Sequence, residues 1–177
     1  MSARDMSEQE EEPTIQRILI GLDASHHSLA AMRAAAELAR SLGAELHGLF
    51  VEDINLLRIA ELPAAKELQF PFAKHARLSP ARMRRQLRAQ AQQARQALAS
   101  ICKQESIEWS FQVVQGNVSA KVLEEAASAD LLCVGRASRP VMHEPGIGST
   151  AEAAAIGAPR SVLLISRHRR IHPPIAV

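Results

Sequence analysis

The sequence predicts an α/β fold: a five-stranded parallel sheet with helices covering both faces. Three observations carry this. Short apolar runs bounded by turn residues recur at 18–22, 131–134 and 162–165, and runs of that length read as buried strands. Segments with apolar residues at helical spacing lie between the strands, so that five strands alternate with four helical stretches. One strand, 107–113, alternates strictly between apolar and polar residues. That is the pattern of a half-buried strand, and beside more continuous apolar runs it belongs at an edge of a parallel sheet.

Taken in order, residues 1–15 are polar and acidic without periodicity and are expected to be a disordered tail. The ordered domain is expected over 16–167, with a basic tail at 168–177. Strand one ends at Asp23, and Ser25 is a suitable N-cap for the helix that follows. Leu29, Met32, Ala36 and Ala39 give that helix its apolar stripe, and Gly43 closes it. Strand two covers 45–51. A long proline-marked connection from Asp53 to Ser79 holds a short helix over 54–60. Ser79-Pro80 then supplies an N-cap with proline at the first helical position. The long helix runs to about residue 104, with Met83, Leu87, Ala91, Ala94, Leu98 and Ile101 on one stripe. After the alternating strand, Gly116-Asn117 turns the chain into a helix ending near Asp130. The fourth strand follows, then a loop, an alanine-rich helix over about 150–156, and a last strand at 162–165.

Composition excludes several classes of function. No apolar run approaches the roughly 20 residues of a membrane span, and the amino-terminal residues lack the apolar stretch of a secretory signal. Cys102 and Cys133 have no metal-ligand or redox spacing and read as reduced thiols, so a cytoplasmic location is expected. The seven histidines form no metal pattern, and His26-His27 are adjacent rather than four apart. His143-Glu144 has no nucleophile or orienting group at a motif spacing. The chain is therefore not expected to be an enzyme, and no catalytic residue is assigned.

The net charge of +2 hides a segregation. Asp5, Glu8, Glu10, Glu11 and Glu12 crowd the amino terminus, whereas residues 68–104 hold eight bases, including Arg82, Arg84, Arg85, Arg88 and Arg95, and no acid. Such a stripe is a solvated face or a surface for an acidic protein partner. Few aromatic residues interleave with it, so nucleic acid is an unlikely partner.

The stretch LLCVGRASRPVMHEPGIGST at 131–150 carries the functional signal. A buried strand ends at Gly135, and a loop leads to Gly148-Ser149-Thr150 at a helix start, where free backbone N–H groups and the helix dipole favour an anion. If strands one and four are neighbours, Asp23 and Gly135 face one crevice at their carboxyl ends.

These residues resemble the universal stress protein family. The similarity covers roughly 16–166, including ILIGLDASHHSLAAMRAAAELARSLGAELHGLFVED, DLLCVG and GST. The family's nucleotide motif is Gly, two residues, Gly, nine residues, Gly, then Ser or Thr. Gly135, Ser138 and Gly148-Ser149 keep the spacing, with Ser138 in place of the second glycine. If the backbone there needs a positive φ, serine costs about 1 kcal/mol relative to glycine.

The resemblance implies a Rossmann-like sheet of order 3-2-1-4-5. It also implies binding of ATP or a related adenine nucleotide between strands 1 and 4, with Mg²⁺ able to accompany the nucleotide. By that resemblance, Asp23 lies beside the adenosine moiety, with Leu22 supplying backbone. Val51 contacts the base and Gly135 permits close approach. Gly148, Ser149 and Thr150 meet the phosphates. Arg136 and Arg139 flank Ser138, and their charge makes them either further phosphate contacts or solvated loop residues.

The last strand, Val162-Leu163-Leu164-Ile165, is apolar on both faces although the fold leaves it at an edge. Pairing with a second copy would cover it, and the resemblance also implies a homodimer there. The competing function is a dimeric interaction module of the same fold that binds protein partners and no nucleotide.

Overall fold

The computed structural model describes residues 14–23, 26–62, 66–69, 74–77, 79–136 and 147–166. In chain order the elements are β1 (Arg17–Leu22), α1 (His26–Leu42), β2 (Glu45–Asp53), α2 (Ile54–Glu61), β3 (Lys66–Gln69), β4 (Lys74–Arg77), α3 (Pro80–Glu105), β5 (Trp109–Gly116), α4 (Val118–Ala126), β6 (Leu131–Gly135), α5 (Ser149–Gly157) and β7 (Ser161–Ile165).

Five strands form one parallel sheet in the order β5-β2-β1-β6-β7. Counted among themselves these strands run 3-2-1-4-5. The alternating strand β5 is an edge, as its pattern requires. The apolar strands β1 and β6 lie inside, and Ile18, Leu19, Ile20, Leu132 and Cys133 are at most 1% exposed.

Alternation along each strand divides the core between two faces. Ile18, Ile20, Leu46 and Phe50 pack with α1 and α3, whereas Leu19, Leu49, Val51 and Val134 pack with α4 and α5. Alanine lets α1 lie close to the sheet, and Ala35, Ala36 and Ala39 are fully buried. Ile15, just before β1, packs against the α1/α3 face. Gly43 takes φ 66° after α1, while the Ala44 N–H bonds the Ala39 carbonyl at 2.9 Å; this left-handed closure is the one that glycine favours.

Several boundaries differ from the sequence expectation. The connection after Asp53 contains the antiparallel pair β3–β4, whose sequences KELQ and KHAR carry no apolar alternation to reveal a strand. Ser79 is the N-cap of α3 and Pro80 opens the helix, as the sequence predicts, but the Ser79 side chain makes no capping bond and its carbonyl accepts the Met83 N–H at 2.9 Å. Helix α4 stops at Ala126, and residues 127–130 form turns before β6. Asp130 ends this passage with its carboxylate accepting the N–H groups of Gln16 and Arg17 at 2.9 Å each. That long-range tie fixes the start of β1. No helix among the described residues is long and apolar enough to cross a membrane.

Candidate functional site

The sheet order reverses between β1 and β6, and in open α/β sheets such a reversal opens a crevice at the strands' carboxyl ends. Parallel pairing sets Ile20 opposite Cys133, so Leu22 and Asp23 leave the sheet on one side of the opening and Gly135 on the other. A narrow slot of about 50 Å³ lies between them. Gly21, Leu49, Val122 and Val134 line its apolar part, and Asp23, Gly135 and Thr150 line it as well.

A wider cavity of about 520 Å³ adjoins the slot, sharing Leu22, Asp23, Val51, Val118 and Thr150 as walls. Leu22, Asp23, Val51, Ser149 and Thr150 border it near the slot. Asp53, Asn55, Leu87, Gln90 and Asn117 line it farther along. None of its lining residues among those described is cationic. Away from Ser149 and Thr150, the carboxylate of Asp53 therefore favours an uncharged or amine-bearing group.

Local bonding fixes the polar rim. The Asp23 N–H donates to Ser28 Oγ at 3.2 Å, and Ser28 is 6% exposed in the first turns of α1. Asp53 is the N-cap of α2, its Oδ1 accepting the Asn55 N–H at 2.9 Å. Asn117 caps α4 in the same way, accepting the Ala120 N–H at 3.0 Å. Ser25 lies outside the described residues.

Helix α5 supplies the anion-compatible end. Gly148 is its N-cap at φ −65° and ψ 151°, extended backbone open to any residue. The first intrahelical bond is Glu152 N–H to the Gly148 carbonyl at 2.9 Å, so the N–H groups of residues 149–151 have no acceptor within the helix. Gly148 N–H donates to the Arg136 carbonyl at 2.8 Å, and Arg136 N–H donates to the Ile165 carbonyl at 2.9 Å. Both ends of the intervening loop are thereby tied to each other and to β7. Among the described residues, a Cβ built at Gly135 would meet only the Ala31 Cβ, at 4.0 Å.

The residues singled out in the sequence thus separate into three groups. Leu22, Asp23, Val51, Gly135, Ser149 and Thr150 border the joined cavities. Gly148 and Arg136 sit at the base of the loop. Ser138, Arg139, His143 and Glu144 lie outside the described residues. The sequence reading did not anticipate Asp53, Asn55, Gln90 and Asn117 at the cavity. The two N-caps were legible as turn chemistry; nothing in the sequence brings Gln90 to this place. Among the described residues no group of three or more His, Cys, Asp and Glu side chains could hold a metal ion.

The universal stress protein family model matches residues 14–166. Among solved structures, the universal stress protein UspA from Lactobacillus plantarum superposes with a TM-score of 0.65 at 20% identity, covering 87% of this chain and 99% of that one. The universal stress protein from Archaeoglobus fulgidus, solved in complex with dAMP, gives 0.54 at 15% identity over 85% and 98%. A universal stress family protein from Arabidopsis thaliana, solved with AMP bound, gives 0.54 at 14% identity over 86% and 92%. These likenesses establish the shared fold. No curated protein matches the chain.

Proposed function

The chain belongs to the universal stress protein family, and from that premise we propose that it is a regulatory domain that binds ATP or a related adenine nucleotide between β1 and β6. The observation that carries this reading is the convergence of Asp23, Val51, Gly135 and Thr150, from four separate segments, on connected cavities. The base lies against Val51 in the wider cavity, with Asp23 and the Leu22 backbone beside the adenosine and Gly135 leaving room for it. The phosphates lie toward Gly148, Ser149 and Thr150, where the N–H groups opening α5 can receive them. Arg136 at the loop base, with Ser138 and Arg139 in the loop, completes that end. Mg²⁺ would arrive with a bound triphosphate and be held mainly by its oxygens.

Equilibrium dialysis with ATP tests the reading. The wild-type protein is expected to bind, and Gly148→Val to lose at least tenfold in affinity by crowding the phosphate end. Wild-type protein that takes up no adenine nucleotide would refute the proposal.

We also propose a homodimer through Val162, Leu163, Leu164 and Ile165. The position of β7 at the sheet edge supports it, as does the half-buried state of Val162, Leu163 and Leu164. A second reading, capture of an acidic protein partner, is favoured by the exposed Arg85, Arg88 and Arg95 on α3. It predicts that charge reversal at Arg84, Arg85 and Arg88 abolishes that capture.

A further inference from the structure

We infer that Gln90 reads the base of the bound nucleotide, its carboxamide pairing with the exocyclic amine and the adjacent ring nitrogen N7 of adenine. The inference rests on the adenine-nucleotide reading above and assigns that site a specificity-determining side chain.

Gln90 lies on α3 at the margin of the stripe formed by Leu87, Ala91, Ala94 and Leu98. Its neighbours on that stripe are buried against the sheet, whereas Gln90 is half-buried and lines the wider cavity with Leu87, Val51 and Asp53. Its side-chain amide makes no hydrogen bond among the described residues. Polar groups withdrawn from bulk water are ordinarily satisfied by protein, ordered water or ligand.

The other polar groups along this wall are less suited to the task. Asn117 Oδ1 and Asp53 Oδ1 already accept the helix-capping bonds from Ala120 and Asn55. Asn55 itself is exposed. Gln90 is the lining amide that combines partial burial with a donor and an acceptor both uncommitted.

The chemistry selects the partner. A carboxamide presents a carbonyl and an N–H₂ side by side, matching a base that offers an amine next to a ring-nitrogen acceptor, which adenine does. On the N7 edge hypoxanthine carries a carbonyl in place of the amine and so presents two acceptors side by side, against which the amide keeps one bond at most.

The test is a comparison of ATP and inosine triphosphate on wild type, Gln90→Leu and Gln90→Glu, by titration calorimetry. Leucine, glutamine and glutamate are all good helix formers, and circular dichroism melts check that the fold is kept. Wild type is expected to prefer ATP by about fivefold to a hundredfold, the usual range for a bidentate amide–adenine pair. Gln90→Leu is expected to weaken ATP by that same factor, leaving inosine triphosphate nearly unchanged. Gln90→Glu keeps the acceptor, loses the donor, and should fall between. A preference for ATP that persists in Gln90→Leu overturns the assignment while nucleotide binding stands, and so does equal wild-type affinity for the two nucleotides. Wild type that binds neither nucleotide overturns the parent reading and this one with it.

Discussion

His47 Nδ1 lies 2.9 Å from Ser110 Oγ across the β2–β5 pairing, and the Ser110 hydroxyl donates onward to Glu45 Oε1 at 2.5 Å. With that hydroxyl proton committed to Glu45, Nδ1 carries the hydrogen of its own bond. His47 is 6% exposed. Burial holds its pKa below the usual 6.5, and Arg17 pushes the same way; Gln112, Glu45 and Glu125 pull against them. The unfolded chain therefore binds more protons in this window. Stability contributed by neutral His47 is fully present above pH 6.5 and is lost as pH falls through the folded-state pKa. Urea unfolding from about pH 7.5 to about pH 5 should show a falling midpoint, and His47→Gln should flatten that decline. An identical decline in the variant would remove His47 as its source.

Two glycines at the sheet should respond oppositely to one methyl group. A Cβ at Gly48 would come 2.5 Å from Leu98 Cδ2 and 3.1 Å from both Leu22 Cδ1 and Phe111 Cδ2. Leu98 is fully buried, so Gly48→Ala should destabilise by about 1–3 kcal/mol. Gly135→Ala meets nothing closer than 4.0 Å among the described residues; it should leave the melting temperature unchanged while weakening nucleotide binding.

Ser106 ends α3 in the left-handed region at φ 57°, with its N–H on the Cys102 carbonyl. Glycine takes that conformation without a Cβ penalty. Ser106→Gly should raise stability by about 0.5–1 kcal/mol, read as a higher urea midpoint at unchanged slope.

The β7 edge yields a prediction about assembly. Sedimentation at micromolar concentration should give a dimer for wild type and a monomer for Val162→Lys, which sets a cation on a half-buried edge position. Monomeric wild type would refute the edge contact.

Much of this architecture could be read before any coordinates, for identifiable reasons. The interior strands announce themselves because both of their faces are covered; β5 shows its edge position because only one face is. Asp23 and Gly135 could be paired in advance because each ends an apolar run and parallel topology sends those ends the same way. The β3–β4 hairpin stayed hidden because its residues are nearly all polar. The end of α4 was placed too late because Ala127, Ser128 and Ala129 are compatible with continued helix. What stops them is Asp130, bonded to Gln16 and Arg17 more than a hundred positions away. Gln90 was unreadable for a similar reason: it lies in a run of glutamines and arginines, and only packing against β2 selects it.

The bond between Gly148 N–H and the Arg136 carbonyl, together with that between Arg136 N–H and the Ile165 carbonyl, ties the start of α5 to the carboxyl ends of β6 and β7. Every group in this tie belongs to the main chain, so it survives any exchange of side chains at these positions that spares the two N–H groups, and proline at 136 or 148 is the substitution that would cut it.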